Sequence, residues 1–112
     1  KIIAFEGCFH GKTIATLSAA GRDEHHQVYP GLMKETFVIL PFGDEAALDN
    51  ALNEDIAAVI IEPVQAEGGV NVPPTGFLDY LTELAHQKGA LVIFDEMQTA
   101  FGRLGHMFAF QK

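Results

Sequence analysis

The chain is poor in three features that define whole classes of protein: cysteine, basic side chains and long apolar runs. Cys8 is the only cysteine among 112 residues, which excludes an intramolecular disulfide and a cysteine-rich metal site. A single thiol fits a reducing compartment, and we expect a cytoplasmic location. The longest uncharged apolar runs, such as Ile56–Ile61 and Ala90–Phe94, fall far short of the ~20 residues that a membrane-spanning helix needs.

Positive charge is also scarce. Seven Lys and Arg residues stand against fifteen Asp and Glu residues, which gives a formal net charge of −8 at pH 7. The Lys and Arg residues do not cluster, so neither a nucleic-acid interface nor a binding site for an anionic membrane is predicted. The hydrophobic fraction of 48% is that of a globular protein, and 112 residues suffice for one compact unit.

Apolar runs alternate along the chain with helical patterns. The runs predict four strands, at Lys1–Phe5, Thr36–Leu40, Ala57–Glu62 and Ala90–Asp95. The last two are continuous rather than alternating, which is typical of strands buried on both faces of a parallel sheet. The sequence therefore predicts an α/β fold, with a mostly parallel sheet and flanking helices.

Three helices are predicted between these strands. Their ranges are Thr13–Ala20, Asp44–Leu52 and Gly76–Lys88. Around the last, Thr75 is the predicted N-cap and Gly89 the residue just past the C-terminus. The stretch Gly21–Glu35 is predicted to be an irregular connection.

Polar side chains follow the predicted strands where ligands bind in such sheets, beyond the carboxyl ends. Asp95 is the last residue of a predicted buried strand, and a carboxylate there needs a hydrogen-bond or charge partner. It either caps the following turn or binds a cation, which is a metal or a protonated ring nitrogen. Among the histidines, only His10 lies in one of these loops, and no pair has the spacing of metal ligands. No metal site is predicted.

The first of these loops resembles a phosphate-binding P-loop. Residues Gly7–Thr13 follow a strand and precede a helix, and Ala90–Glu96 resembles the second motif of such ATPases. A P-loop needs four residues between its glycines, whereas only three separate Gly7 from Gly11. Glu6 occupies the position at which the motif requires its first glycine, and the Glu6 carboxylate would repel phosphate. The spacing argues against a nucleotide triphosphatase but leaves it as an alternative, beside a non-catalytic binding domain.

Three segments in order resemble the class III pyridoxal-phosphate (PLP) aminotransferases, the group of the ornithine, acetylornithine and 4-aminobutyrate enzymes. They are Phe9–Thr13, Ala57–Gly69 and Asp95–Arg103. The resemblance covers the whole chain and implies that residues 1–112 are a fragment of the PLP-binding large domain of fold type I. It implies transamination between an amine or amino acid and a keto acid, in a parent protein that forms a homodimer.

The resemblance also implies roles for individual residues. Asp95 is similar to the catalytic carboxylate that pairs with the pyridine nitrogen of PLP, and it keeps that nitrogen protonated. Phe9 resembles the aromatic residue that stacks on the cofactor ring, and Gln98 the side chain that reaches the ring hydroxyl. The other residues that the resemblance places around the cofactor are His10, Glu62, Glu96 and Met97, with Glu62 as support at the same edge.

Two positions are implied to face the substrate. Glu67 resembles the glutamate that pairs with a substrate-site arginine in ω-aminotransferases. Lys12 stands where acetylornithine-type members have an arginine, and a lysine offers a point charge rather than a bidentate fork to a carboxylate. The Schiff-base lysine of the family would lie about thirty residues beyond Asp95, and Lys112 is too near. We therefore expect the segment alone to be inactive.

Overall fold

The chain forms one parallel sheet in the computed structural model, which describes residues 1–21 and 31–111. The four strands are β1 (Ile2–Phe5), β2 (Phe37–Leu40), β3 (Ala58–Ile61) and β4 (Leu91–Phe94). Their spatial order is β2-β1-β3-β4, and every neighbouring pair is parallel. The predicted α/β fold and all four predicted strands are thus confirmed, and each strand is one or two residues shorter than predicted.

Three helices flank the sheet: α1 (Ile14–Ser18), α2 (Glu45–Ala51) and α3 (Phe77–Gln87). Short 3₁₀ turns occupy Lys34–Thr36 and Ala109–Gln111. Helix α1 begins after Thr13, whose side chain accepts a hydrogen bond from the Thr16 amide, and α2 begins after Asp44, whose carboxylate accepts from the Ala47 amide. Most of the predicted irregular connection Gly21–Glu35, like Lys112, lies outside the described residues.

The start of α3 differs from the prediction, while its end agrees with it. The predicted N-cap Thr75 is wrong, because Gly76 holds that position with a φ of 86° and no side chain caps the helix. A left-handed backbone conformation favours glycine, which explains why the helix entry lies there. At the other end Gly89 has a φ of 78°, and the Ala90 amide donates to the Ala85 carbonyl over 2.9 Å.

The main core lies between the sheet and helices α2 and α3. It is built from apolar side chains at alternate strand positions and on the inner faces of the two helices: Ile3, Phe5, Val59, Ile61, Leu48, Phe77, Leu81 and Ala85. The Phe5 ring meets the Phe42 and Phe77 rings edge to face, each with a centroid distance of 6.1 Å. A smaller cluster of Ala4, Cys8 and Ala19 covers part of the opposite face.

Strand β4 corrects one expectation. It was predicted to be buried on both faces, but Leu91 is 69% and Ile93 is 44% exposed. The strand lies at the edge of the sheet, and within residues 1–21 and 31–111 nothing covers that face. The prediction holds for β3, which lies between two strands and is buried along most of its length. In the same two ranges, no helix is both long and apolar enough to span a membrane.

Candidate active site at the carboxyl edge of the sheet

Three loops meet at the carboxyl edge because β1, β3 and β4 are neighbours that run in the same direction. Residues 6–13 follow β1, residues 62–74 follow β3 and residues 95–105 follow β4. The Asp95 amide continues the ladder by donating to the Ile61 carbonyl over 2.8 Å. The topology thus brings the polar segments singled out in the sequence to one edge.

His10 and Asp95 are in direct polar contact at this edge. His10 Nδ1 lies 2.7 Å from Asp95 Oδ2, although 85 residues separate them in the chain. The His10 side chain is only 1% exposed and that of Asp95 is 16% exposed. Asp95 Oδ1 accepts a second hydrogen bond from the Met97 amide over 3.2 Å. Asp95 therefore caps the following turn, as one of the two interpretations holds. That it binds a metal or a protonated ring nitrogen stays a prediction.

The environment of His10 favours its protonated form. Burial opposes protonation, but the neighbouring Cys8 side chain and the hydrogen bond with Asp95 favour it, and the pKa of His10 is raised to about 9. The ring also contains an orphaned atom, since Nε2 is buried without a hydrogen-bond partner among the described residues. An unpaired buried N–H is unfavourable, so burial and the orphaned Nε2 both oppose the positive charge that the hydrogen bond with Asp95 stabilises.

Glu62 holds the loop that contains Phe9. Its buried carboxylate accepts a hydrogen bond from the Phe9 amide, with Oε2 and N 3.0 Å apart. Burial raises the pKa of Glu62 above its usual value, while the Phe9 hydrogen bond and the charge of His10 partly oppose that shift. Phe9 is half-buried beside it. Glu62 therefore determines where the backbone of Phe9 lies.

Gln65 joins two of the loops and was missed by the sequence analysis. Its side chain is 1% exposed, donates to the Glu6 carbonyl over 2.8 Å and accepts from the Asn71 amide group over 3.1 Å. The backbones approach closely here, because a Cβ added at Gly68 would lie 2.6 Å from the Gly7 carbonyl oxygen. The paired glycines after Glu67 were visible in the sequence, but the hydrogen bond from Gln65 to the distant Glu6 carbonyl was not.

The family model for class-III aminotransferases matches residues 1–112. The chain belongs to the class-III aminotransferase family. It is 49% identical over 111 residues to acetylornithine aminotransferase from Methanopyrus kandleri. The aligned region covers 99% of this chain and 28% of that protein. It is 44% identical over 109 residues to ornithine aminotransferase from Staphylococcus carnosus. In this case the aligned region covers 97% of this chain and 27% of that protein.

A solved structure agrees with this assignment. Ornithine aminotransferase from Toxoplasma gondii, with partial occupancy of PLP at its active site, superposes with a TM-score of 0.92 at 34% identity. The match covers 99% of this chain and 26% of that one. This class-III aminotransferase chain thus spans about a quarter of the length of the relatives that it matches. The predicted family and fold are confirmed.

Family membership argues against the alternative function of a nucleoside triphosphatase, and the loop after β1 gives a physical reason. The amides of Gly7 and Cys8 donate to backbone carbonyl oxygens, and the amide of Phe9 donates to Glu62. A P-loop needs such amides to converge on phosphate oxygens. In this aminotransferase segment they are already engaged within the protein.

The predicted cofactor contact of Glu96 stays a prediction, while its observed contacts are structural. One carboxylate oxygen accepts from the Thr99 hydroxyl over 2.6 Å and from the Ala109 amide over 2.8 Å, and the other accepts from the Phe110 amide over 3.0 Å. Burial alone would raise the pKa of Glu96, but these three hydrogen bonds hold it below its usual value. Glu96 thus caps the final 3₁₀ turn.

The other predicted site residues lie at the surface of this edge. Lys12, Glu67 and Gln98 are exposed, and the Met97 side chain is 87% exposed. Gln98 lines an open cleft of about 600 Å³, whose walls are otherwise mostly apolar: Val64, Ala66, Val70, Met97, Ala100, Phe101 and Leu104, with Thr99 and Arg103. In the described ranges no three His, Cys, Asp or Glu side chains are grouped to hold a metal ion.

Proposed function

We propose that the protein containing this segment is a PLP-dependent aminotransferase, which moves an amino group between an amine or amino acid and a keto acid. The observation that carries the proposal is the placement of Asp95. Its carboxylate lies at the carboxyl edge of a parallel sheet, is oriented by two hydrogen bonds and remains 16% exposed. Membership of the class-III family and PLP in the Toxoplasma gondii relative support it.

The residues of the edge fit a cationic aromatic ring. Asp95 offers a negative charge that is partly accessible, and Phe9 offers an aromatic face on a backbone that Glu62 holds in place. Gln98 is exposed on the neighbouring cleft and can donate a hydrogen bond without adding charge. The negative charge of Asp95 suits a protonated pyridine nitrogen, and the aromatic face of Phe9 suits stacking on the ring.

When bound, PLP supplies an electron sink for the carbanion that remains after the amino-bearing carbon loses a proton. The part of Asp95 is to hold a proton at the ring nitrogen, because an opposite charge nearby favours the protonated form. Phe9 would stack on the ring, and Gln98 would donate a hydrogen bond to the ring oxygen, as the family resemblance implies. Glu62 acts on the site through the Phe9 amide.

The substrate contacts follow from the family resemblance. Lys12 binds a substrate carboxylate as a point charge, and Glu67 pairs with an arginine of the substrate site. The Schiff-base lysine lies outside residues 1–112, so the segment alone does not transaminate. The proposal includes a homodimeric parent protein, which rests on the family resemblance. It also includes a cytoplasmic location, which rests on the single cysteine.

The experiment is to compare the full-length protein with its Asp95→Asn variant. After incubation with PLP, the unmodified protein should show a visible absorbance band that hydroxylamine removes. Asp95→Asn keeps the size of the side chain but removes its charge, so we expect turnover to fall by about 10²–10³-fold. The exposed Asp79 of α3 provides the matched control, since Asp79→Asn should leave turnover unchanged. Absence of the band would contradict the cofactor, and near-normal half-reaction rates in Asp95→Asn would make Asp95 a structural cap only.

A further inference from the structure

His10 is a buried histidine committed to one carboxylate. Its side chain is 1% exposed, whereas Asp95 is 16% exposed, so His10 approaches Asp95 from the protein side. A ligand at the edge of the sheet can reach Asp95 but has almost no access to the imidazole. A direct contact between His10 and the cofactor, as the family resemblance implies, is therefore the less favourable of two roles for this side chain.

The hydrogen bonds of Asp95 show what His10 contributes. The backbone of Asp95 is held by the ladder to Ile61, which leaves the side-chain torsions to orient the carboxylate. The terminal torsion of an aspartate is broad and has little preference of its own. The Met97 amide reaches Oδ1 only over 3.2 Å, while His10 Nδ1 reaches Oδ2 over 2.7 Å. Without His10, one long hydrogen bond would orient the carboxylate.

We propose that His10 is a positioning residue that acts through Asp95: the hydrogen bond from its Nδ1–H group holds the carboxylate in the orientation that a cationic ring nitrogen meets. This inference rests on the proposed function and refines the role of His10 within the same site. The titratable groups that face the imidazole are Asp95, Glu62 and Cys8. The ionised carboxylate of Asp95 can only accept a hydrogen bond, so His10 Nδ1 is the donor.

Two amide substitutions separate this role from simple packing. The side-chain nitrogen of Asn is as many bonds from Cα as His Nδ1, and that of Gln as many as His Nε2. His10→Asn therefore keeps a donor where Asp95 accepts it, while His10→Gln moves the donor one bond further out. His10→Phe removes it altogether. His86, exposed near the end of α3, provides the control variant His86→Asn.

The first measurement is the dissociation constant of PLP in the full-length protein. A lost hydrogen bond to a charged group corresponds to a ~10–100-fold change in affinity. We expect that loss in His10→Phe and His10→Gln, and a change within about threefold in His10→Asn and His86→Asn. If His10→Phe does not fold, the comparison of Asn with Gln still decides. Equal affinities in the Asn and Gln variants, or unaltered affinity in a folded His10→Phe protein, would overturn the proposal.

The second measurement uses the protein without PLP, so its outcome does not depend on the cofactor. Nitrogen NMR of labelled histidine should show that the His10 pKa falls when Asp95 is replaced by Asn and is unchanged in Asp79→Asn. If the His10 pKa is the same in the unmodified protein and in Asp95→Asn, the two side chains are not coupled in solution. That result would overturn the role of His10 and leave PLP binding to Asp95 intact. Absence of PLP binding together with a His10 pKa that depends on Asp95 would overturn the proposed function and leave the orientation of the carboxylate by His10 supported.

Discussion

Two parts of the carboxyl edge are built in opposite ways. The edge cluster (Phe9, His10, Glu62 and Asp95) is buried or half-buried and joined by short hydrogen bonds between distant parts of the chain. The aromatic loop (residues 97–110) is mostly exposed, and its rings contact one another, with Phe108 stacked on Phe110 at a centroid distance of 5.6 Å. One region carries polar groups inside the protein, and the other carries apolar groups on its surface.

The difference shows where the described chain completes its own contacts. In the edge cluster, His10 Nε2 is the one buried side-chain nitrogen or oxygen without a hydrogen-bond partner within residues 1–21 and 31–111. In the aromatic loop the side chains of Met97 and Phe101 are 87% and 85% exposed, and Glu96 anchors the backbone rather than the rings. Substitutions in the edge cluster should therefore affect folding and the site together, while those in the loop should act locally.

The largest effect is expected where the loops after β1 and β3 touch. Gly68→Ala in the full-length protein places a Cβ 2.6 Å from the Gly7 carbonyl oxygen, and backbone atoms cannot move aside cheaply. Overpacking of this kind costs about 1–3 kcal/mol or more of unfolding free energy. Thermal unfolding measures it. Gly31→Ala is the control, because no atom of residues 1–21 or 33–111 lies within 4 Å of its added Cβ. An unchanged melting temperature in Gly68→Ala would contradict the close approach.

The pH dependence of stability should separate the two regions next. The pKa of His10 is raised from 6.5 to about 9 on folding, so its contribution is fully present below pH 6.5 and is lost as the pH rises through about 9. The contribution is at most roughly 3 kcal/mol, since one pKa unit corresponds to about 1.4 kcal/mol. Melting temperatures of the protein without PLP should fall across this window, and His10→Asn should flatten the slope. His86→Asn should retain the pH dependence of the melting temperature. If His10→Asn retains it as well, the pH dependence arises from groups other than His10.

A smaller effect is expected from the carboxylate behind Phe9. Glu62→Ala leaves the Phe9 amide without its acceptor and should lower the unfolding free energy by about 1–3 kcal/mol. Glu62→Gln keeps an acceptor oxygen and avoids burying a charge, and it should be as stable as the unmodified protein at neutral pH. Denaturant unfolding of the two variants checks this. Equal losses in Ala and Gln would show that the charge, rather than the hydrogen bond, holds Phe9.

The smallest effect belongs to the aromatic loop. Glu96→Ala removes the acceptor for the Ala109 and Phe110 amides, which should cost about 1 kcal/mol locally, as loss of a helix cap does. Hydrogen exchange should accelerate at those two amides and stay unchanged at the Asp95 amide, which belongs to the sheet. Faster exchange at Asp95 as well would show that the two regions unfold together and would break the contrast between them.

Local sequence pattern predicted most of the fold. Continuous apolar runs predicted all four strands because β-branched and aromatic residues suit a sheet whose faces are covered. Alternation of strands with helical periodicity predicted parallel neighbours, and Gly89 marked the end of α3. The entry to α3 could not be predicted as well, because Thr75 is a favourable N-cap in general and only the left-handed Gly76 excludes it here.

For the site, the sequence by itself determined which residue types reach the carboxyl edge, since Asp95 and Glu62 directly follow their strands. The motifs around them sufficed for the family. Only the tertiary structure decided the partners: His10 meets Asp95 across 85 residues, Gln65 meets Glu6 across 59 and Phe9 meets Glu62 across 53. Periodicity and capping act over a few residues, whereas these hydrogen bonds exist only because the parallel sheet order places β1 next to β3 and β3 next to β4.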